Sequence, residues 1–135
     1  MPIMSWNATL ATGIASIDAQ HQQLVQYVNE LYDAMTQNRS KDATGEILKR
    51  LTDYTVKHFA HEEQLFSRTV YPGSVAHVNE HRQLKKQVSD FVAAFQSGKA
   101  TVTTELMHFL RTWLTDHIMR SDKQYVPHLK AKGVL

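Results

Sequence analysis

The chain has 135 residues, 42% hydrophobic and 21% charged, a size and balance that fit one domain with a real core and exclude disorder. Fifteen Lys and Arg against thirteen Asp and Glu leave a net charge of only +2, so there is no electrostatic footprint for nucleic acid. The absence of cysteine excludes disulfides, thiolate metal sites and cysteine nucleophiles, and no apolar run approaches the ~20 residues that cross a bilayer. The start, Met1-Pro2-Ile3-Met4-Ser5-Trp6, lacks the basic-then-apolar layout of a signal peptide. A cytoplasmic protein without membrane partners is therefore expected. One compositional feature stands out: eight histidines.

An irregular N-terminal stretch runs past Gly13. A helix over about 18–37 follows, with inward positions Ile17, His21, Leu24, Val28, Leu31 and Met35 and Asp18 as a candidate cap. The polar linker Asn38 to Asp42 leads to a second helix over about 43–67, with the seam Ile47, Leu51, Tyr54, His58, Glu62 and Leu65. The turn cluster Tyr71-Pro72-Gly73-Ser74 precedes a third over about 75–97, with His77, His81, Leu84, Val88, Phe91 and Phe95 inward and Gly98 at its end. The fourth, over about 103–121, is opened by Thr103 or Thr104 and places Leu106, Leu110, Trp113 and His117 inward. Pro127 reads as a late break. No segment alternates with period two for long, so strands are not supported. Four helices of about 20 residues with short connections predict an all-α, up-down-up-down antiparallel four-helix bundle, a single domain over 1–135.

The histidines fall on the inward face. His21, His58, His77, His81 and His117 occupy seam positions, as does Glu62. A lone core imidazole is more often structural, but a set spread over four helices is costly unless it coordinates a metal. The positions alternate start, end, start and end of successive helices, which in an antiparallel bundle is one layer. His58/Glu62 and His77/His81 are i, i+4 pairs, only about 40° apart around a helix. Asp122 lies five residues beyond His117, about 140° away on an ideal helix. It reaches the same centre only if the helix is distorted or ends there, for example at a π-type bulge.

The order His21 … His58-x-x-x-Glu62 … His77-x-x-x-His81 … His117-x-x-x-x-Asp122 resembles the hemerythrin family over nearly the whole chain. Trp6, Gly13-Ile14 and Ile17-Asp18-x-x-His21-Gln22 are similar to its bacterial members. The resemblance implies a non-haem centre of two iron ions with an oxo or hydroxo bridge. By analogy His77, His81 and His117 hold one iron, His21 and His58 the other, and Glu62 and Asp122 bridge them. That set leaves one position open on the second iron, which implies reversible O2 binding, with azide or nitric oxide as further small ligands. The family places a leucine over the open site, three residues before its last histidine ligand, and Leu114 matches it. By ligand type alone, zinc, manganese and cobalt remain alternatives to iron.

His61 reads as a solvated neighbour of the ligand pair. Glu105-Leu106-Met107-His108 matches the Glu-x-x-His motif of ferritin-like di-iron proteins, which need two such motifs; only this one is present. Phe59, Trp113, Leu114 and Ile118 double as core packing. The function expected is a monomeric carrier, store or deliverer of O2 and not an enzyme. A sensor of O2, redox state or nitric oxide, or a di-iron enzyme reducing peroxide or nitric oxide, is the alternative.

Overall fold

A computed structural model of the chain describes residues 3–99 and 101–135. After a 3-10 turn at Ala8–Leu10 come α1 (Ala15–Thr36), α2 (Lys41–Thr69), α3 (Ser74–Gln96) and α4 (Thr104–Asp116). A π-helical segment at His117–Asp122 then runs directly into α5 (Lys123–Ala131). The fourth rod of the bundle is therefore α4, the π segment and α5 in one continuous path. It ends ten residues later than the period in the sequence suggests, and Pro127 sits inside α5 instead of breaking it. There are no strands among the described residues. Helix α1 packs on α2, α2 on α3, and α4 returns to α1, while α5 reaches α2.

The ends of the helices follow their local chemistry. Ser40 Oγ accepts from Ala43 N–H at 3.1 Å and opens α2 two residues before the expected start. Thr103 Oγ1 accepts from Leu106 N–H at 3.1 Å and opens α4. Asp18 does not cap α1. Helix α1 begins three residues earlier than expected, and from its first turn Asp18 reaches back to gather the incoming loop. Its carboxylate accepts from Thr12 N–H at 2.8 Å, Thr12 Oγ1–H at 2.7 Å and Gly13 N–H at 3.0 Å. Gly13 holds φ +82° there, and a Cβ would lie 2.5 Å from Lys130 Nζ of α5. Each rod ends in a left-handed residue followed by a reverse backbone hydrogen bond: Asn38, Val70, Gly98 and Gly133. Val70 is the exception among these residue types, a β-branched side chain at φ +54° that stands exposed.

Two apolar clusters fill the bundle. The larger holds Leu24, Val28, Leu31, Leu48, Leu51, Met107, Leu110, Leu114 and Ile118 among others. The smaller gathers Ile14, Ile17, Leu65, Phe66, Tyr125 and Leu129 at the other end. The inward seam of α4 is Met107, Leu110 and Leu114, with the expected Leu106 and Trp113 only half-buried. Along α3, Leu84, Val88 and Phe91 are also half-buried. Beside them an apolar cavity of about 40 Å3 lies against Leu24, Val28, Leu51, Val88, Leu110 and Leu114. No helix is long and apolar enough to cross a membrane, among the described residues.

Candidate metal centre

Between the two apolar clusters lies a polar layer. On α1, His21 stands between Ile17 of the smaller cluster and Leu24 of the larger; on α2, His58 and Glu62 stand between Leu51 and Leu65. His77 and His81 come from the first two turns of α3, and His117 and Asp122 are the first and last residues of the π segment. All seven side chains are buried. The wider i→i+5 turn adds a residue to the helix without advancing the face, which turns Asp122 inward beside His117.

The donors form two groups, each with its ligand atoms within 4.8 Å of one another: Glu62, His77, His81, His117 and Asp122 in one, His21, His58, Glu62 and Asp122 in the other. Glu62 and Asp122 are common to both. Asp122 Oδ1 lies 3.0 Å from His77 Nε2 and 3.1 Å from His117 Nε2, while its Oδ2 lies 2.9 Å from His21 Nε2. Glu62 Oε1 lies 3.2 Å from His58 Nε2 and 3.3 Å from His81 Nε2. None of these pairs has hydrogen-bonding geometry. The five Nε2 atoms, Glu62 Oε1 and both Asp122 oxygens are buried without a hydrogen-bond partner among the described residues.

That many orphaned donors on one centre is costly without a cation. Hard carboxylate oxygens beside imidazole nitrogens suit a divalent first-row metal. The residues therefore fit a pair of metal ions.

The surroundings fix which nitrogen faces inward. His58 Nδ1 donates to Gln20 Oε1 at 2.6 Å and His81 Nδ1 to Glu63 Oε2 at 3.4 Å. His117 Nδ1 faces Glu80 Oε2 at 3.3 Å. Protons held on Nδ1 leave Nε2 with its lone pair toward the centre. His21 Nδ1 is buried with no partner among the described residues. Phe59 stacks on the His81 ring at 3.8 Å between centroids, Trp113 stacks on His117 at 5.9 Å, and Phe66 meets His77 edge-on at 4.9 Å. Tyr125 O–H donates to Glu62 Oε2 at 2.5 Å.

Without a cation the electrostatics are those of mutual pairing. Burial and the Asp122 charge push the Glu62 carboxyl up, but the His58 charge and the approach of His58 and His81 outweigh them and hold it at about 2. Burial pushes Asp122 up as well, and His117, His21 and His77 bring it well below the usual carboxylate range. Burial lowers His117, and Asp122, Glu62 and Glu80 together raise it to about 9. Burial, then the Asp122 and Glu62 charges, hold the Tyr125 hydroxyl well above its ordinary value, so it stays a donor.

The structure brings the seven candidate ligands together in one buried layer and places Leu114 buried one turn before His117. His61 is outside the centre, with Nε2 3.1 Å from Ser16 Oγ, and Glu105 and His108 are exposed. His128 Nε2–H donates to the Thr69 carbonyl at 2.7 Å and ties α5 to the end of α2. Gln20, Glu63, Glu80 and Tyr125 also touch the layer, and no period in the sequence marks them. Tyr125 had one faint signal, its place three residues after Asp122; the others sit beside ligands in sequence but off the seams.

A helical bundle whose apolar core is interrupted by a desolvated layer of imidazoles and carboxylates is a metal-binding bundle. Its family is hemerythrin: the chain belongs to it, with residues 12–129 matching the Hemerythrin HHE cation binding domain. It is 39% identical over 126 residues to a bacteriohemerythrin of Pseudomonas aeruginosa, covering 93% of this chain and 81% of the relative. To the bacteriohemerythrin of Methylococcus capsulatus it is 38% identical over 133 residues, covering 97% and 100%. A crystal structure of wild-type hemerythrin superposes with a TM-score of 0.89 at 34% identity, covering 94% of this chain and 98% of that one.

Proposed function

We propose that this chain is a monomeric di-iron protein that binds O2 reversibly, as a carrier, store or donor. The carrying observation is the set of buried, unpartnered donors divided into two groups with Glu62 and Asp122 common to both. His77, His81 and His117 would hold one iron, His21 and His58 the other, with Glu62 and Asp122 bridging. With five donors on one side and four on the other, an added small ligand would find its place beside His21 and His58. Two irons supply the two electrons that reversible O2 binding draws on and takes back.

The chain's own residues make the rest of the function. Phe59 stacked on His81, with Leu114 and Ile118 buried three residues before and one after His117, puts apolar side chains beside the layer and would keep water scarce there. Low water favours a neutral diatomic ligand and disfavours the entry of anions that would leave the irons oxidised. Tyr125 holds Glu62 by its outer oxygen, and the Nδ1 partners hold the imidazole planes.

The test is oxygen cycling. The anaerobically reduced protein, with two irons per chain by metal analysis, gains a visible charge-transfer band in O2 and loses it on deoxygenation over repeated cycles. A band that forms once and cannot be reversed, or appears only with added peroxide, moves the assignment to a sensor or a peroxide- or nitric-oxide-reducing enzyme. One tightly held metal per chain, or zinc that iron cannot replace in function, removes the di-iron reading.

A further inference from the structure

The outer nitrogens of the five imidazoles have unequal company. In the five-donor group two of the three histidines have a carboxylate behind them, Glu63 at 3.4 Å from His81 Nδ1 and Glu80 at 3.3 Å from His117 Nδ1. In the four-donor group His58 Nδ1 has only the neutral amide of Gln20, and His21 Nδ1 has no partner among the described residues. A carboxylate behind an imidazole raises its basicity as well as fixing its plane, whereas an amide fixes the plane alone. We propose that Glu63 and Glu80 are positioning residues that make the five-donor position the tighter of the two. The centre then fills and empties in a fixed order, with the His21/His58 ion last in and first out.

The inference rests on the two-metal reading above, and it concerns the order and strength of filling, which that reading leaves open. The contacts are long, and the carboxylates are 28% and 48% exposed, so water weakens each of them. Their joint effect belongs at the lower end of the about 10–100-fold that such outer partners contribute to metal affinity. The same exposure makes them replaceable without disturbing the core.

The experiment uses the metal-free 135-residue chain and cobalt(II) under argon, followed by ligand-field absorption and by competition with a chelator. The expected result is two binding classes of one ion each. In Glu63→Gln/Glu80→Gln the tighter class weakens about tenfold and the looser class stays in place. Restoring each carboxylate singly recovers part of the loss. Gln20→Glu supplies the reverse arm: a carboxylate behind His58 strengthens the looser class and narrows the gap. A role in folding alone would move both classes together, or the thermal midpoint without either. Both ions binding in one unresolved phase, or both classes shifting equally in the double variant, overturns the inference and leaves the two-metal reading standing. Fewer than two cobalt ions per chain overturns both.

Discussion

At the scale of one residue, Leu114 is where packing and ligand control can be told apart by experiment. Its side chain is buried in α4, faces the apolar cavity on one side and stands a turn before His117 on the other. Leu114→Ala should cost on the order of 2–5 kcal/mol of stability, and at the lower end of that range a bundle of this size remains folded. Iron content should stay at two per chain while the oxygenated form decays faster and azide binds faster, read by stopped-flow absorption. Unchanged kinetics in a folded, iron-replete variant would reduce this leucine to filler. His77→Ala should weaken one ion and, through the bridges, the other, whereas His61→Ala should leave metal analysis unchanged. The metal-free chain should also show a particular pH dependence. Glu62 contributes stability that is present above its ordinary value of 4.5 and lost as pH falls through about 2. His117 contributes stability that is full below 6.5 and lost as pH rises through about 9. The urea midpoint of the metal-free protein should therefore peak between about pH 4.5 and 6.5 and fall on both sides. Metal loading removes the alkaline loss, because a coordinated His117 has already given up its proton.

The π segment and the left-handed helix ends decide the behaviour of the elements. Val70 holds a β-branched side chain at φ +54° with nothing covering it, a conformation that costs an L residue roughly 1–2 kcal/mol. Glycine at this position has no such cost and loses about 0.5–1 kcal/mol through a freer unfolded chain, so Val70→Gly should raise stability by up to ~1 kcal/mol in chemical denaturation. A single alanine inserted between Asp122 and Lys123 should do the opposite. It rotates α5 by about 100° and carries Tyr125 and Leu129 away from Ile14, Ile17 and Phe66, which should lower the thermal midpoint sharply. These elements also mark where the sequence was readable. Helices α1 to α3 followed from regular steps of three and four, and the inward histidines and Glu62 on them from the same steps. Asp122 was recoverable only by its place in a wider pattern, since an extra residue breaks the period. Beyond it, α5 was invisible because Pro127 reads as a stop and because its seam restarts out of phase with that of α4. Asp18 has the residue type of a cap, yet its partners lie upstream in the loop and not in its own helix. Gln20, Glu63 and Glu80 could not be found because they touch neighbours brought close only by packing.

At the scale of the whole molecule, the polar layer divides the interior. The larger core runs from Leu24 and Leu51 to Leu31, Leu48 and Met107, the smaller one joins the loop before α1 to the ends of α2 and α5, and the donors from four rods span the boundary. With cations in place the layer binds the two cores together; without them it is a seam of charged and desolvated groups. Slow amide exchange should therefore be uneven in the metal-free protein. Protection should persist through Leu24 to Leu31, Leu48 to Leu51 and Met107 to Leu114, while amides of Tyr125 to Leu129 and of the loop around Gly13 exchange through a smaller opening. Adding metal should slow that second set far more than the first. The smaller core would then act as a hinged cover: an excursion that lifts α5 and the loop away from α2 would uncover Asp122 and His21 while the larger core stays closed. Ions would leave by that route, and the rate of their escape would report how often the cover opens and not how often the protein unfolds.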